Sequence, residues 1–393
     1  MAPAIDSLER MQAARRVAQI QPFEVMEVMA RAFALESAGR RVVHMEIGEP
    51  DFTAPAPVVE AAARALRDGV TAYTPALGIA PLREAIAQFH AAHLGAAPAA
   101  DCIAVTAGAS GALLLALALY VDPGDEILVP DPGYPGYRHF VRAFEGVARP
   151  LPLGAATRFQ PTCAMVEAAW GPRTRGLLLG TPSNPTGTLI ARPELERIAS
   201  FLAARGGLLI VDETYLGLVY GHAPSSAASL PGEVVTINSF SKYFCMTGWR
   251  LGWIVLPRRR VREFEKLAQH LFICPSAIAQ HAALAAFLPE SLRVLEQRRA
   301  QFERRRDFLL PAVERAGLRV PAAPDGAFYL YADCSRFGDA RDFAFRLLQS
   351  EAVALTPGTD FGSNRTQHCV RLAYTRDAAD LEEAVARLAR FCA

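Results

Sequence analysis

The segment Ser239-Phe-Ser-Lys-Tyr-Phe-Cys-Met-Thr-Gly-Trp-Arg250 carries the most specific chemical pattern in the chain. Its one lysine, Lys242, has mainly apolar neighbours, and partial desolvation disfavours an ammonium ion and leaves a nucleophilic amine. Ser239, Ser241 and Arg250 are suited to hold a phosphate dianion, because an arginine can donate to two phosphate oxygens at once. An amine beside a phosphate site indicates a Schiff base to pyridoxal phosphate (PLP). The alternative is a surface lysine on a turn, and other segments must decide between the two.

Composition and charge exclude several classes of protein. The chain has 393 residues, 51% hydrophobic and 21% charged, which is typical of a globular protein long enough for two domains. Lysine and arginine number 41 and the acidic residues 40, so the net charge is 41 − 40 = +1, and neither sign is clustered. We therefore expect no nucleic-acid partner and no binding to an anionic membrane surface.

The cysteines and the apolar runs indicate a cytoplasmic protein. Seven cysteines are scattered without a C-x-x-C pair, which favours reduced thiols over a disulfide framework or a metal site. The N-terminus mixes charges of both signs without an apolar core, so no signal peptide is apparent. The longest uncharged run, residues 102–121, has glycine and serine in its middle, which favours strand–loop–helix over a membrane span.

Short apolar runs alternate with amphipathic stretches through the middle of the chain. The run at residues 208–211 is bounded by glycines and charges, as in a buried strand covered on both faces. The alternation predicts an α/β fold, a doubly wound and mostly parallel sheet that binds ligands at the carboxyl ends of its strands. Strands are expected at 102–106, 126–130, 176–179, 207–211, 234–238 and 251–255, and helices at 57–67, 81–90, 110–120 and 194–204.

A change in composition after residue 280 predicts a second, smaller α+β domain. Residues 290–316 are rich in arginine and glutamate and are expected to be helical, with strands at 327–332 and 369–373. At the other end, residues 7–39 are expected to be helical with an interruption at Pro22, and 42–47 to form a strand. The predicted domains are a large PLP-binding domain, 47–285, and a small domain formed by 1–46 together with 286–393.

Two motifs at strand ends suit an anionic, aromatic cofactor. Gly108-Ala-Ser-Gly111 joins a strand to a helix, and its small residues leave backbone N–H groups free to approach an anion at the helix N-terminus. Asp212 ends the strand at 208–211, and a carboxylate there can pair with a protonated pyridine nitrogen, which makes the ring an electron sink. A structural turn and a helix N-cap are the respective alternatives.

Three further side chains are candidates for cofactor or substrate contacts. Asn184 lies between two prolines, so its amide is held in place and can donate to a phenolate oxygen; a plain turn is the alternative. Tyr134 follows a strand and can stack on a planar ring, or simply pack. Arg371 lies between apolar strand residues and requires a carboxylate partner, either internal or on a substrate.

Taken in order, Asn184-Pro-Thr-Gly187, Asp212-Glu-Thr-Tyr215 and Ser239-Phe-Ser-Lys242 with Gly248-Trp-Arg250 give the chain its family resemblance. The sequence resembles class I aminotransferases of the fold-type I, PLP-dependent superfamily. The resemblance extends from Gly48 to Arg371, nearly the whole chain. It implies ping-pong transfer of an amino group between an L-amino acid and a 2-oxo acid.

The resemblance also implies a role for each matching position. Lys242 would bind the cofactor covalently and then act as general base and acid, Asp212 would pair with the pyridine nitrogen, and Tyr215 with Asn184 would bond the phenolic oxygen. Arg371 would bind the substrate α-carboxylate. The remaining implied positions are Gly108, Ala109, Ser110, Ser239, Ser241 and Arg250 around the phosphate, Tyr134 on the ring, Gly48 at the substrate mouth, and Tyr73 on the phosphate of the neighbouring subunit in a homodimer.

Two departures from the family pattern concern the substrate. Some aspartate-accepting relatives carry a lysine where this chain has Ser110, and its absence puts aspartate as the best amino donor in doubt. Gly180 stands where relatives often have asparagine, and the sequence assigns no consequence to that change. The side chain of the preferred amino acid is not readable from the sequence.

Two alternatives to an aminotransferase share the same motifs. A carbon–sulfur β-lyase or related synthase on this fold would keep every cofactor contact. A ligand-sensing regulator would need an added DNA-binding segment, and this N-terminus is too short and not basic enough to supply one.

Overall fold

The computed structural model describes residues 13–393, and the first part of the helix expected from residue 7 lies outside them. The helices are α1 Glu24–Ser37, α2 Ala56–Arg67, α3 Ala80–His93, α4 Gly108–Tyr120, α5 Pro135–Ala143, α6 Cys163–Ala169, α7 Arg192–Ala203, α8 Val261–Leu271, α9 Ala277–Leu284, α10 Pro289–Arg315, α11 Ala340–Glu351 and α12 Ala378–Cys392. The strands are β1 Val43–His44, β2 Ile103–Thr106, β3 Glu126–Asp131, β4 Val147–Pro152, β5 Thr174–Gly180, β6 Leu208–Asp212, β7 Glu233–Ser239, β8 Gly252–Val255, β9 Tyr329–Asp333, β10 Val353–Ala354, β11 Thr356–Pro357 and β12 Cys369–Ala373.

A seven-stranded sheet forms the centre of the molecule, with strand order β2-β8-β7-β6-β5-β3-β4. Strands β7, β6, β5, β3 and β4 pair in parallel, and only β8 runs antiparallel to its two neighbours. The predicted mostly parallel sheet is therefore confirmed. The carboxyl ends of β3, β5, β6 and β7 meet at one edge, where such sheets bind ligands.

Both faces of this sheet are buried, and β6 shows why the sequence requires it. Leu209 and Val211 point to the side covered by α6 and α7, whereas Ile210 points to the side covered by α4 and α8. Successive strand residues face opposite ways, so a continuous apolar run buries both faces at once. Helix α4, apolar on all sides, is the covering helix that starts at the ligand edge.

A second group of strands lies in the C-terminal part of the chain. Strands β11, β12 and β9 form an antiparallel three-stranded sheet, and β1 pairs in parallel with β10. Helices α11 and α12 pack beside these strands. The β1–β10 pair ties the N-terminal segment to the C-terminal part. The division into a large domain, 47–285, and a small domain of 1–46 with 286–393 stays a prediction.

The N-terminal elements are shorter than expected. Helix α1 begins only at Glu24, because Pro22 interrupts any preceding helix and Glu24 and Glu27 favour a helix N-terminus at this point. Residues 15–19 form a short 3₁₀ turn. The strand expected over 42–47 is reduced to two residues, because its partner β10 is itself two residues long.

Several elements were not predicted at all. Edge strand β4 exposes most of its side chains and contains two prolines, so it lacks an apolar run. Helix α5 is only nine residues long and has a glycine in its first turn, which obscures the helical pattern. Within residues 13–393, no helix is long and apolar enough to cross a membrane.

Candidate active site

A cavity of about 290 Å³ opens at the carboxyl ends of β3, β5, β6 and β7. Larger clefts exist, one of about 630 Å³, but this cavity gathers nearly all predicted site residues. Its lining includes Gly48, Ala109, Ser110, Tyr134, Asn184, Asp212, Tyr215, Ser239, Ser241, Lys242, Arg250 and Arg371. Side chains close in space yet far apart in sequence thus meet where the fold binds ligands.

Lys242 follows the end of β7, and its amine projects into the cavity. Its Nζ donates to the Gly48 carbonyl oxygen at 2.6 Å, and in the described part of the chain it forms no ion pair. Burial lowers the pKa of Lys242 to about 8, and Arg371 and Arg250 act in the same direction while Glu49 opposes them. A substantial fraction of this amine is therefore neutral near physiological pH, as a nucleophile requires.

Asp212 is buried at the end of β6. Tyr137 Oη donates to its Oδ2 at 2.9 Å and the Thr214 backbone N–H to its Oδ1 at 3.0 Å. Burial raises the pKa of Asp212, and these hydrogen bonds act against that rise. No arginine or lysine between residues 13 and 393 forms an ion pair with it, so the carboxylate faces the cavity without a cationic partner. Asp212 is the last residue of β6, where the chain turns, and its side chain caps none of the helices within residues 13–393.

The N-terminus of α4 and the loop after β7 form an anion cradle. No side chain among residues 13–393 caps α4, so its first N–H groups are available to a ligand. Gly108 has φ of +72°, and an added Cβ would lie 2.8 Å from Arg250 Nη2. Ser239 Oγ accepts from the Ser241 N–H at 3.0 Å, and both side chains line the cavity. Arg250 itself is in the left-handed region (φ 54°), a conformation that clusters at functional sites.

β8 can approach this cradle because Gly252 has no side chain. A Cβ there would lie 2.8 Å from the carbonyl carbon of Gly108 and 2.9 Å from the backbone nitrogen of Ala109. These distances are shorter than any real Cβ contact. Backbone N–H groups and the Arg250 guanidinium are thereby brought to one side of the cavity.

Four tyrosines surround the middle of the cavity. Tyr134 precedes α5, and its ring lies edge-on to Tyr137 with centroids 5.3 Å apart. The Tyr215 hydroxyl lies 2.8 Å from that of Tyr329, and burial raises the pKa of both, so each keeps its proton at neutral pH. Thr214 Oγ1 also lines the cavity and is buried without a hydrogen-bond partner in the described structure.

Arg371 extends from β12 towards the cavity and is only 6% exposed. Its Nη1 donates to Asn184 Oδ1 at 3.0 Å, and its Nη2 donates to the Glu46 carbonyl oxygen at 2.5 Å and to Thr356 Oγ1 at 3.2 Å. Nε has no partner, and no carboxylate within residues 13–393 pairs with the guanidinium. Of the two alternatives left by the sequence, an internal partner and a substrate carboxylate, the structure offers no internal one.

Two predicted residues lie outside the lining. Gly108 lies directly behind it, in contact with Arg250. Tyr73 is 81% exposed on the surface, away from this cavity, so its expected contact with a neighbouring subunit stays a prediction.

The sequence did not indicate several lining residues, namely Tyr137, Thr214, Tyr329, Thr247, Pro182 and Leu113. Tyr137 is one helical turn beyond Tyr134, and that spacing was its only local signal. Tyr329 belongs to a strand whose pattern predicts core packing, so nothing near it in the sequence points to the cavity.

Comparison with known proteins identifies the family. The family model described as "Aminotransferase class I and II" matches residues 40–388, so the chain belongs to that family. It is 40% identical over 374 residues to valine–pyruvate aminotransferase of Mycobacterium tuberculosis, covering 94% of this chain and 96% of that protein. It is 36% identical over 381 residues to (5-formylfuran-3-yl)methyl phosphate transaminase of Methanocaldococcus jannaschii, covering 96% and 98%.

Solved structures agree with this assignment. The aspartate aminotransferase of Thermus thermophilus, determined with maleate, superposes with a TM-score of 0.91 at 34% identity and covers 97% of this chain and 100% of that one. The protein is therefore an enzyme, an aminotransferase of fold type I. Its family depends on PLP and transfers amino groups between amino acids and 2-oxo acids by a ping-pong mechanism.

Proposed function

We propose that this cavity binds PLP and that the enzyme transfers the amino group of an L-amino acid with a single carboxylate. The observation that carries the proposal is the placement of the Lys242 amine in one cavity with an unpaired carboxylate, Asp212, and an unpaired guanidinium, Arg371. A buried charge without a partner is costly, so each of these two groups requires a ligand of opposite sign.

The residues present fit the cofactor. The α4 N-terminus, the three serines at 110, 239 and 241 and the Arg250 guanidinium would hold its phosphate. Asp212, kept in orientation by Tyr137 and Thr214, would pair with the pyridine nitrogen. When bound, PLP supplies a carbonyl that captures the amino group and a ring that withdraws electrons from the substrate Cα. Tyr215 and the Nδ2 of Asn184, whose Oδ1 is already engaged, would donate to the phenolic oxygen.

Lys242 has two tasks in this proposal. Its pKa of about 8 leaves the amine partly neutral, so it can react with the cofactor carbonyl. Once displaced by the substrate amine, the same group would take the proton from the substrate Cα as a base. It would then donate that proton, as an acid, to the cofactor C4′. Its hydrogen bond to the Gly48 carbonyl oxygen keeps the amine at the substrate mouth.

The charges of the cavity support a substrate with one carboxylate. Its cationic lining side chains are Lys242, Arg250 and Arg371, and each already has a role. Position 110, where some aspartate-accepting relatives carry lysine, is serine. The M. tuberculosis relative is named a valine–pyruvate aminotransferase, and valine and pyruvate each carry a single carboxylate. We therefore infer that alanine, valine and similar donors are preferred over aspartate.

We further infer a homodimer in which Tyr73 contacts the phosphate held by the partner subunit. Its side chain is 81% exposed and lies outside its own cavity, which supports a contact made in trans. Light scattering should then give twice the chain mass of 42.5 kDa. A monomer that binds PLP normally would contradict the inference. A cytoplasmic location stays a prediction.

The test is a visible absorbance scan of the purified enzyme with PLP, followed by titration with single amino acids. A band that disappears with an amino donor and returns with a 2-oxo acid supports transamination and identifies the donor. Release of pyruvate and ammonia from a cysteine conjugate, without that return, would favour a carbon–sulfur lyase. The Lys242→Ala variant should keep its fold by circular dichroism and lose turnover, and retained turnover would reject the assigned base.

A further inference from the structure

Tyr329 is a buried residue of β9 that touches three parts of the site at once. Its hydroxyl lies 2.8 Å from that of Tyr215, and its ring centroid lies 4.4 Å from the Arg371 Cζ. A Cβ added to Gly48 would lie 1.8 Å from its oxygen. Tyr329 therefore connects the group proposed for the phenolic oxygen, the group proposed for the carboxylate, and the backbone that holds the lysine amine.

The hydroxyls of Tyr215 and Tyr329 share one hydrogen bond, and the distance alone allows either of them to be the donor. Two neutral phenols share one hydrogen bond, so one donates and the other retains a proton for a different acceptor. If Tyr215 donates to Tyr329, it has no proton left for the cavity. If Tyr329 donates, Tyr215 accepts and its own proton is free to point into the cavity, and hydrogen bonds in such a chain strengthen one another.

The ring of Tyr329 has a separate role towards Arg371. The guanidinium is nearly buried and pairs with no carboxylate in the described part of the chain, so an aromatic face at 4.4 Å is a favourable contact for its charge. Phe361 supplies a second face at 4.9 Å. Together with Asn184, the rings of Tyr329 and Phe361 fix the orientation of the Arg371 guanidinium before a carboxylate binds.

We propose that Tyr329 is a positioning residue: its hydroxyl donates to Tyr215 and so directs the Tyr215 proton to the cofactor's phenolic oxygen, and its ring holds Arg371 in position for the substrate carboxylate. The proposal rests on the PLP-dependent function above. It assigns two separable roles to one side chain, one carried by the oxygen and the other by the ring.

The oxygen is tested by Tyr329→Phe in a spectrophotometric pH titration of the PLP-loaded enzyme. A donor directed at the phenolic oxygen lowers the proton affinity of the chromophore, so its loss should move the pH midpoint of the visible band upward by about half a unit. Tyr215→Phe should move it further. The double variant should match Tyr215→Phe, because Tyr329 acts only through Tyr215.

The ring is tested with isovalerate, a carboxylate that lacks an amino group and cannot react. Its Kd, read from the change in the visible band, should stay within about twofold in Tyr329→Phe and rise about five- to tenfold in Tyr329→Leu, which removes the contact with Arg371. Tyr220→Phe is the control: a buried tyrosine outside the cavity, whose hydroxyl donates to the Ala327 carbonyl oxygen and whose change should alter neither reading.

The outcomes separate the two proposals. A midpoint in Tyr329→Phe equal to that of the unmodified enzyme, or additive shifts in the double variant, would overturn the role of the hydroxyl. An unchanged isovalerate Kd in Tyr329→Leu would overturn the role of the ring. If the unmodified enzyme forms no visible band with PLP, it is the proposed function that fails.

Discussion

Arg371 Nη1 and Asn184 Oδ1 are joined by a hydrogen bond of 3.0 Å, although Asn184 follows a strand of the seven-stranded sheet and Arg371 lies in the three-stranded sheet. The group proposed to bind the substrate carboxylate is thus oriented by the sheet that carries Lys242. The substrate's carboxylate and amine would be held by residues that belong to two different sheets but line one cavity.

Replacing Arg371 with lysine tests this anchor. Lysine keeps the charge but loses the planar fork, so we expect the KM for amino acid and 2-oxo acid to rise about 10- to 100-fold. The enzyme should still form a visible band with PLP, because Arg371 itself is not among the groups proposed to hold the cofactor. Steady-state kinetics with valine and pyruvate give the KM values. An unchanged KM would show that the carboxylate binds elsewhere.

Replacing Asp212 with asparagine keeps the shape and the hydrogen bond from Tyr137 but removes the charge. Without a carboxylate the pyridine nitrogen is not kept protonated, and we expect kcat to fall at least about 100-fold. The Tyr137→Phe variant, which leaves the charge in place, should lose much less activity. Single-turnover rates with a preferred donor would reveal the difference, and equal losses in the two variants would reject a role for the charge.

The pKa of Lys242 predicts how the apoenzyme recovers its cofactor. Below pH 8 the amine carries a proton and is not nucleophilic, so the rate of PLP capture should rise with pH and level off above an apparent midpoint near 8. A free lysine would titrate near 10.5. Stopped-flow absorbance from pH 6 to pH 10 measures this rate. A rate still rising steeply at pH 10 would mean that the amine is not desolvated.

Replacing Ser110 with lysine should shift the substrate preference. A cation at this edge of the cavity would attract a second carboxylate, and we expect kcat/KM for aspartate to rise at least about tenfold relative to valine. Ser110→Met is the matched control, since it adds similar length without charge. Should both variants change the aspartate-to-valine ratio equally, size and not charge would govern the preference.

A buried histidine predicts loss of stability in mild acid. Trp253 Nε1 donates to His90 Nε2 at 2.9 Å, and burial lowers the pKa of His90 from 6.5 to about 4. Between these values the unfolded chain binds a proton that the folded protein does not. Stability is therefore fully present above pH 6.5 and falls as the pH drops towards 4, by up to about 3 kcal/mol.

The His90→Gln variant keeps a hydrogen-bond acceptor for Trp253 but cannot titrate. Its melting temperature should fall less between pH 7 and pH 5 than that of the unmodified protein, as measured by differential scanning fluorimetry. Identical falls would exclude His90 as the source of the acid sensitivity.

Most residues that the sequence singled out lie in one cavity, whereas several elements that support the cavity were not predicted. Lys242, Ser239, Ser241 and Arg250 lie within one short segment, so their proximity follows from local geometry. Asp212 lies beside them because a parallel sheet brings its strand ends to one edge, and its role stays a prediction. Tyr137 and Tyr329 were missed because their contacts join residues 75 and 114 positions apart, and no local pattern encodes such a contact.

The errors in secondary structure have a related cause, because a strand forms only with a pairing partner elsewhere in the chain. Edge strand β4 has one sheet neighbour and solvent on most of its side chains, so burial leaves little trace in its sequence. The two-residue strand β1 exists only because β10 is available to pair with it. Each depends on a pairing partner outside its own segment, β3 for β4 and β10 for β1.

The contact between Gly48 and Tyr329 restricts the order in which these two positions can change during evolution. With tyrosine at 329, any side chain at 48 would lie 1.8 Å from the phenolic oxygen. A larger residue at 48 would displace the Tyr329 ring and its hydrogen bond to Tyr215, so we expect position 329 to become smaller before position 48 becomes larger. Among descendants of such a protein, alanine or serine at position 48 should occur only alongside a shortened residue at 329.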